Sequence, residues 1–78
     1  MPMTPAQCRA ARGLLDWSQK TLAAHAGISV ATVRNFERGR TTALIPQNES
    51  AILIAFARAG VEIIPRGVRA APPGQDEP

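Results

Sequence analysis

Arg34 and Asn35 stand side by side, and both carry side chains that can read the edge of a base pair. An asparagine amide pairs bidentately with adenine N6 and N7, and an arginine guanidinium with guanine O6 and N7. Val30 and Ala31 precede them and offer small apolar groups of the kind that touch a thymine methyl. Groups suited to phosphate surround them: Gln19, Lys20, Thr32, Arg38, Arg40, Thr41 and Thr42, with Thr21 as a further hydroxyl. Other chemistries lack their parts. The chain shows no Ser/His/Asp grouping, no paired carboxylate site and no glycine-rich phosphate loop, so no enzyme is expected. Cys8 and His25 are the sole cysteine and histidine. They fall short of the roughly four ligands of a protein zinc site, so neither metal nor cofactor is expected. Cys8 reads as a small core residue and His25 as an exposed polar one.

Length and charge bound the frame. The 78 residues allow one small domain. A chain of this size buries only ~60% of the surface it exposes when unfolded. One cysteine excludes an intrachain disulfide, which leaves self-association as the remaining staple. Residues 1–69 hold nine basic residues against Asp16, Glu37, Glu49 and Glu62, a surplus of five, while Asp76 and Glu77 lie in the tail. That balance suits a polyanionic partner. The longest apolar run, Ala51 to Ala57, is far short of the ~20 residues of a membrane span. The opening Met-Pro-Met-Thr-Pro lacks the regions of a signal peptide, so a soluble, cytoplasmic protein without membrane contact is expected.

Positioning these groups takes helices. Thr4 can cap a first helix, with Pro5 where a missing N–H costs nothing and Gln7 placed to complete a capping box. Cys8, Ala11 and Leu15 give that helix one apolar stripe. Asp16-Trp17 breaks the pattern, with Trp17 expected to pack at the corner between helices. Ser18 caps a second helix, Gln19 to Ala26, ended by Gly27; Ser29 caps a third, which runs to about Arg38 and stops at Gly39. Arg40 to Gln47 reads as a loop because Ile45 precedes Pro46. Asn48 reads as the cap of a fourth helix through Ala59, closed by Gly60. Val61 to Ile64 reads as a strand, and Arg66-Gly67 as a turn into a second short strand at Val68-Arg69. The expected organisation is an N-terminal tail at 1–3, a helical domain at 4–60, a β segment at 61–69 and a disordered tail at 70–78.

The run from Gln19 to Gly39 carries the most information. Two short helices joined by a tight, glycine-containing turn make a helix-turn-helix. Ala23 is small enough for a close helix crossing, Gly27 permits the turn, and Leu22, Ile28, Val33 and Phe36 can meet in the crotch. Gln19, Leu22-Ala23, Gly27, Ser29, Val33 and Phe36-Glu37-Arg38-Gly39 resemble the Cro/phage-repressor (XRE) family of helix-turn-helix DNA-binding domains. Arg9-Ala10-Ala11-Arg12 before the motif and Ala57-Arg58-Ala59-Gly60-Val61 after it are similar to small bacterial members. The resemblance covers roughly residues 4–64. It implies an all-α fold, a compact lambda-repressor-like bundle of about four or five helices, often dimeric, whose second motif helix lies in the major groove of double-stranded DNA. The short C-terminal β-strand or hairpin is less typical of the family's phage repressors.

Helical phase reads the third helix independently. With Val33 buried and ~100° per residue, Ala31, Arg34, Asn35 and Arg38 fall on the opposite face, and Val30 lies near its edge. Recognition helices contact bases through their N-terminal residues, which makes Ser29, Val30, Ala31, Arg34 and Asn35 the base-reading candidates. The blander alternatives are that Arg34 meets only phosphate and that Val30 merely packs. Gln19 begins the second helix, where free N–H groups favour an anion, and the resemblance implies the same role. Glu37 falls only ~40° from Val33, turned inward where an unpaired carboxylate is costly. Arg12 shares the Cys8/Leu15 face of the first helix, and the resemblance implies a structural Arg12–Glu37 ion pair.

Helix four is apolar nearly all round. Ile52, Ala55, Phe56 and Ala59 suffice to dock it, which leaves Leu53, Ile54 and Ala57 over. The strand behind it adds an open edge. Leu53, Ile54, Ala57, Val61, Ile63 and Ile64 are therefore the expected homodimer interface, with antiparallel pairing across a two-fold axis. Folding back within one chain is the alternative. The expected function is a sequence-specific transcription regulator, a homodimer on a near-palindromic operator. Two rivals stand beside it: an antitoxin-type DNA binder with a regulatory protein partner, and a protein–protein adaptor that uses the fold without DNA.

Overall fold

Local hydrogen bonds set where the first three helices begin and end. The computed structural model describes residues 3–39 and 44–70. Helix α1 spans Pro5–Leu15. Thr4 Oγ1 accepts from the Gln7 N–H at 3.1 Å, and Gln7 Oε1 accepts from the Thr4 N–H at 2.9 Å, a complete capping box. Asp16 ends the helix at φ 57°, a left-handed position that short polar side chains tolerate. Helix α2, Gln19–Ala26, is capped by Ser18 and closed by Gly27 at φ 72°. Helix α3, Val30–Glu37, is capped by Ser29 and ends at Arg38, with Gly39 behind it at φ 76°.

The fourth helix departs from the sequence reading. Helix α4 spans Pro46–Ala59 and begins ahead of Asn48, whose N–H bonds back to the Ile45 carbonyl at 3.0 Å. No side chain caps it. Proline at the first helical position already has the right φ and no N–H to satisfy, and it holds Ile45 extended. Gly60 closes the helix at φ 99°.

Strands β1, Val61–Ile64, and β2, Gly67–Ala70, form an antiparallel hairpin pairing Val61 with Ala70, Glu62 with Arg69, Ile63 with Val68 and Ile64 with Gly67. The turn is Pro65-Arg66, one residue earlier than expected, and Arg66 rather than glycine takes the left-handed position at φ 71°. Buried Gln7 clamps this tip: its Nε2 donates to the Ile64 carbonyl at 2.7 Å and the Gly67 carbonyl at 3.2 Å. Ala70, assigned to the tail from composition, belongs to β2; residues 71–78 lie outside the described residues. Met3, likewise assigned to a tail, is buried, and its N–H donates to Glu49 Oε2 at 2.6 Å.

Cys8, Ala11, Leu22, Val33, Phe36, Ile52 and Phe56 form the centre of the core. Trp17 stacks at the α1–α2 corner on His25, with ring centroids 4.3 Å apart, and behind it on Phe56 at 6.1 Å. Among the described residues no helix is long and apolar enough to cross a membrane. The result is the helical bundle with a terminal hairpin that the patterning predicted.

Candidate nucleic-acid interface

The interface is built on α3, whose two faces have different tasks. Val33, Phe36 and Glu37 are buried; Ala31, Asn35 and Arg38 are exposed, with Thr32 and Arg34 half-buried beside them. Three residues, Gly27 to Ser29, join α2 to α3, and the left-handed glycine lets the chain turn that sharply. Ile28 packs against the core from within this turn. The second helix is thus held across the first with one side free.

Glu37 anchors the inward side. Its Oε2 accepts from Arg12 Nε at 2.8 Å and Cys8 Sγ at 3.0 Å. Its Oε1 accepts from Arg12 Nη2 at 2.7 Å and Gln19 Nε2 at 3.0 Å. Four donors from α1 and α2 therefore converge on one carboxylate of α3. Arg12 also donates to the Trp17 carbonyl at 2.9 Å, and Arg9 Nη1 to the Glu37 carbonyl at 2.6 Å. Arg9 thereby neutralises the negative end of the α3 dipole.

These contacts set the protonation states. Burial alone would raise the Glu37 carboxyl, but the hydrogen bonds from Arg12, Cys8 and Gln19 outweigh it and hold the group below its ordinary range. Its bond to Glu37 raises Arg12 further, against the opposing effect of burial. Burial pushes the Cys8 thiol well up, and the adjacent Glu37 carboxylate adds to the shift. Cys8 therefore stays a protonated S–H donor rather than a reactive thiolate.

The outward side offers unspent donors. Among the described residues, Lys20, Arg34, Asn35 and Arg38 have no side-chain hydrogen bond to the protein, and Lys20, Asn35 and Arg38 are exposed. Ser29 Oγ is occupied as the α3 cap and lies 2.8 Å from Thr32 Oγ1, so this pair presents hydroxyls already oriented by the helix start. Val30 is half-buried and packs against the core, at the edge of the outward face of α3. Gln19 gives one amide N–H to Glu37 and keeps the other. Thr21 Oγ1 accepts from Ser18. Arg40, Thr41 and Thr42 lie outside the described residues.

The expected dimer residues divide. Val61 is taken by the chain's own core and is not available to a partner; Leu53 and Ile63 also pack against that core. Hydrophobic alternation cannot tell a residue that docks its own strand from one left over. Ile54 is 52% exposed, Ala57 is exposed and Ile64 half-buried.

Sequence reasoning missed Cys8, Arg9 and Gln19 as partners of Glu37, and Gln7 as the hairpin clamp. A signal for two of them was present, because Cys8 and Arg9 lie one helical turn before Arg12 on α1.

Two short helices crossing through a glycine turn, the second pinned inside and bare outside, define a helix-turn-helix DNA-binding domain. Residues 9–46 match the helix-turn-helix family, from Arg9 of α1 to the first residue of α4. That match, over just under half of the chain, supports a Cro/repressor-type (XRE) helix-turn-helix DNA-binding protein, a DNA-binding regulator in general. No curated protein matches the chain.

Proposed function

We propose that this protein is a sequence-specific transcription regulator that lays α3 in the major groove and acts as a homodimer on a near-palindromic operator. The observation that carries the reading is the outward stripe of α3, Ala31, Asn35 and Arg38 with Arg34 beside it, whose polar groups have no partner within the described chain. An exposed amide and a guanidinium on a helix fixed from behind are prepared for two bidentate base contacts. Asn35 reads an adenine, Arg34 a guanine, and Ala31 with the rim of Val30 touches a thymine methyl. Ser29, at the start of α3, joins them at the base edges, while Thr32, Gln19, Lys20 and Arg38, joined by Arg40, Thr41 and Thr42, hold the phosphates on either side. A homodimer sets its two α3 helices ~34 Å apart, over half-sites one turn apart. Occupying such a site is enough to repress, and the place of action is the cytoplasm, where the DNA of a bacterial-type cell lies. No catalytic role is assigned, in keeping with a family that binds DNA.

Selection of binding sites from random duplexes tests the reading. A two-fold related motif should enrich, with affinity falling steeply as salt rises. Asn35→Ala or Arg34→Ala should cost ~1–3 kcal/mol at one base position and relax preference there, whereas Arg38→Ala should weaken all sequences alike. Failure to enrich any motif, with little salt dependence, would leave the adaptor reading in its place.

A further inference from the structure

Arg9 uses one donor to hold α3 and leaves the rest of its guanidinium bare. It reaches across from α1, and its Nη1 donates to the carbonyl of Glu37, the last residue of α3, at 2.6 Å. No helical N–H lies ahead of that carbonyl to meet it. The carboxylate of the same residue is occupied by Arg12, Cys8 and Gln19. Arg9 therefore meets a dipole, and its charge is left uncompensated. Among the described residues the ion pairs are Arg12–Glu37 and Arg69–Glu62, and Arg9 belongs to neither.

The remaining donors have the shape of an anion site. A guanidinium carries five N–H groups in a fixed plane. Arg9 is exposed, and its Nε–Nη2 edge bonds to nothing within the described chain. Two parallel donors on one planar edge match two oxygens of one phosphate. The bond at Nη1 already holds the head of this long side chain, so less freedom is lost when an anion binds. Position points the same way. The residue after Glu37 is Arg38, exposed at the end of the outward stripe of α3, and the sequence places Arg40 two residues further on. Arginines from two helices thus serve one end of α3, where the buried Glu37 is the nearest acid in sequence and already has its partners.

We propose, resting on the DNA-binding reading above, that Arg9 is a phosphate-binding residue outside the two motif helices. Its Nη1 keeps the Glu37 carbonyl while its Nε–Nη2 edge takes one phosphate of the DNA backbone beside the C-terminal end of α3. The bridge ties the main chain of α3 to the duplex through a side chain of α1. Arg9 and Arg12, one turn apart on α1, then divide the work. Arg12 gives its charge to Glu37 and fixes the fold; Arg9 gives its charge to the DNA. A phosphate contact carries no base information, so Arg9 adds affinity to every sequence alike.

Binding of the full chain to a selected duplex and to a random one, each measured across a range of salt, tests it. Arg9→Gln keeps an N–H for the Glu37 carbonyl and loses the charge. It should lower the slope of log K against log salt by about 0.9, and weaken both duplexes by about eightfold at ~0.1 M salt. Arg9→Lys keeps the charge and loses the fork, so it should hold the wild-type slope and recover part of the affinity. A helix cap without a phosphate contact would leave the slope unmoved. The wild type supplies a second measurement that needs no variant: modification by an arginine-specific dicarbonyl, mapped by mass spectrometry. Saturating duplex should protect Arg9 and leave Arg58, exposed on α4, as reactive as before. An Arg9→Gln slope equal to the wild type, or an Arg9 that reacts equally with and without duplex, overturns the proposal and leaves Arg9 as a cap of α3. A wild-type chain that binds neither duplex overturns the DNA-binding reading itself.

Discussion

Two arginine–carboxylate pairs of nearly equal length sit in this chain in opposite surroundings. Arg12 and Glu37 meet at 2.7 Å with side chains 19% and 2% exposed; Arg69 and Glu62 meet at 2.5 Å with side chains 60% and 54% exposed. Distance alone would rank them as equals. The buried carboxylate has lost its water and replaces it with four protein donors drawn from two other helices. The exposed one keeps water as an alternative partner, so its arginine adds little. The first pair fixes the position of α3; the second decorates one rung of a hairpin. What makes an ion pair structural here is the cost of the charge left behind when its partner goes.

Several substitutions can break that contrast. Arg12→Ala should have the largest effect, a loss of ~3–5 kcal/mol, because Glu37 stays charged in a buried site. Urea unfolding followed by the fluorescence of the single tryptophan, Trp17, measures it, and a loss below that of the hairpin pair would overturn the ranking. Acid should then act in opposite senses on the two proteins. Glu37 titrates below its ordinary range in the wild type, so its stabilisation is complete above the unfolded value of about 4.3 and is lost as pH falls through the lower folded value. Without Arg12, burial is expected to raise the same group, so protonation relieves it, and the deficit of the variant should begin to narrow as pH falls toward the unfolded value of about 4.3, from above it. Cys8→Ala removes one of the four donors and should cost about 1–2 kcal/mol in a thermal or urea melt, with Cys8→Ser recovering part by restoring a donor. The smallest effect belongs to Glu62→Ala, below about 1 kcal/mol and shrinking further in high salt. A salt-insensitive loss there would mean that the hairpin pair is more deeply engaged than its exposure shows.

Much of the fold was legible because its punctuation is local. Thr4 with Gln7, Ser18 with Gly27, and Ser29 each act on backbone groups within a few residues, and each cap stands where the sequence put it. The start of α4 was misplaced because a proline start needs no capping side chain, so Asn48 attracted the assignment. The turn was misplaced because Arg66 holds a conformation that favours glycine, under a clamp from Gln7 that lies 57 residues away. Of the site, the outward face of α3 followed from phase alone. The division of the apolar surplus did not, since Val61 and Ile54 look alike in a pattern and differ only in whether the core has room for them.

Residue order along the chain therefore decided the helix-turn-helix, its caps and the face that α3 turns outward, because a capping bond, a left-handed glycine and a step of ~100° all operate between close neighbours in sequence. Tertiary structure alone decided which side chains share Glu37, where the hairpin takes its tip, and which hydrophobic residues are left exposed. Those outcomes depend on whether segments far apart in the chain meet at bonding distance, as Cys8 and Glu37 do across 29 positions. No local propensity carries that information.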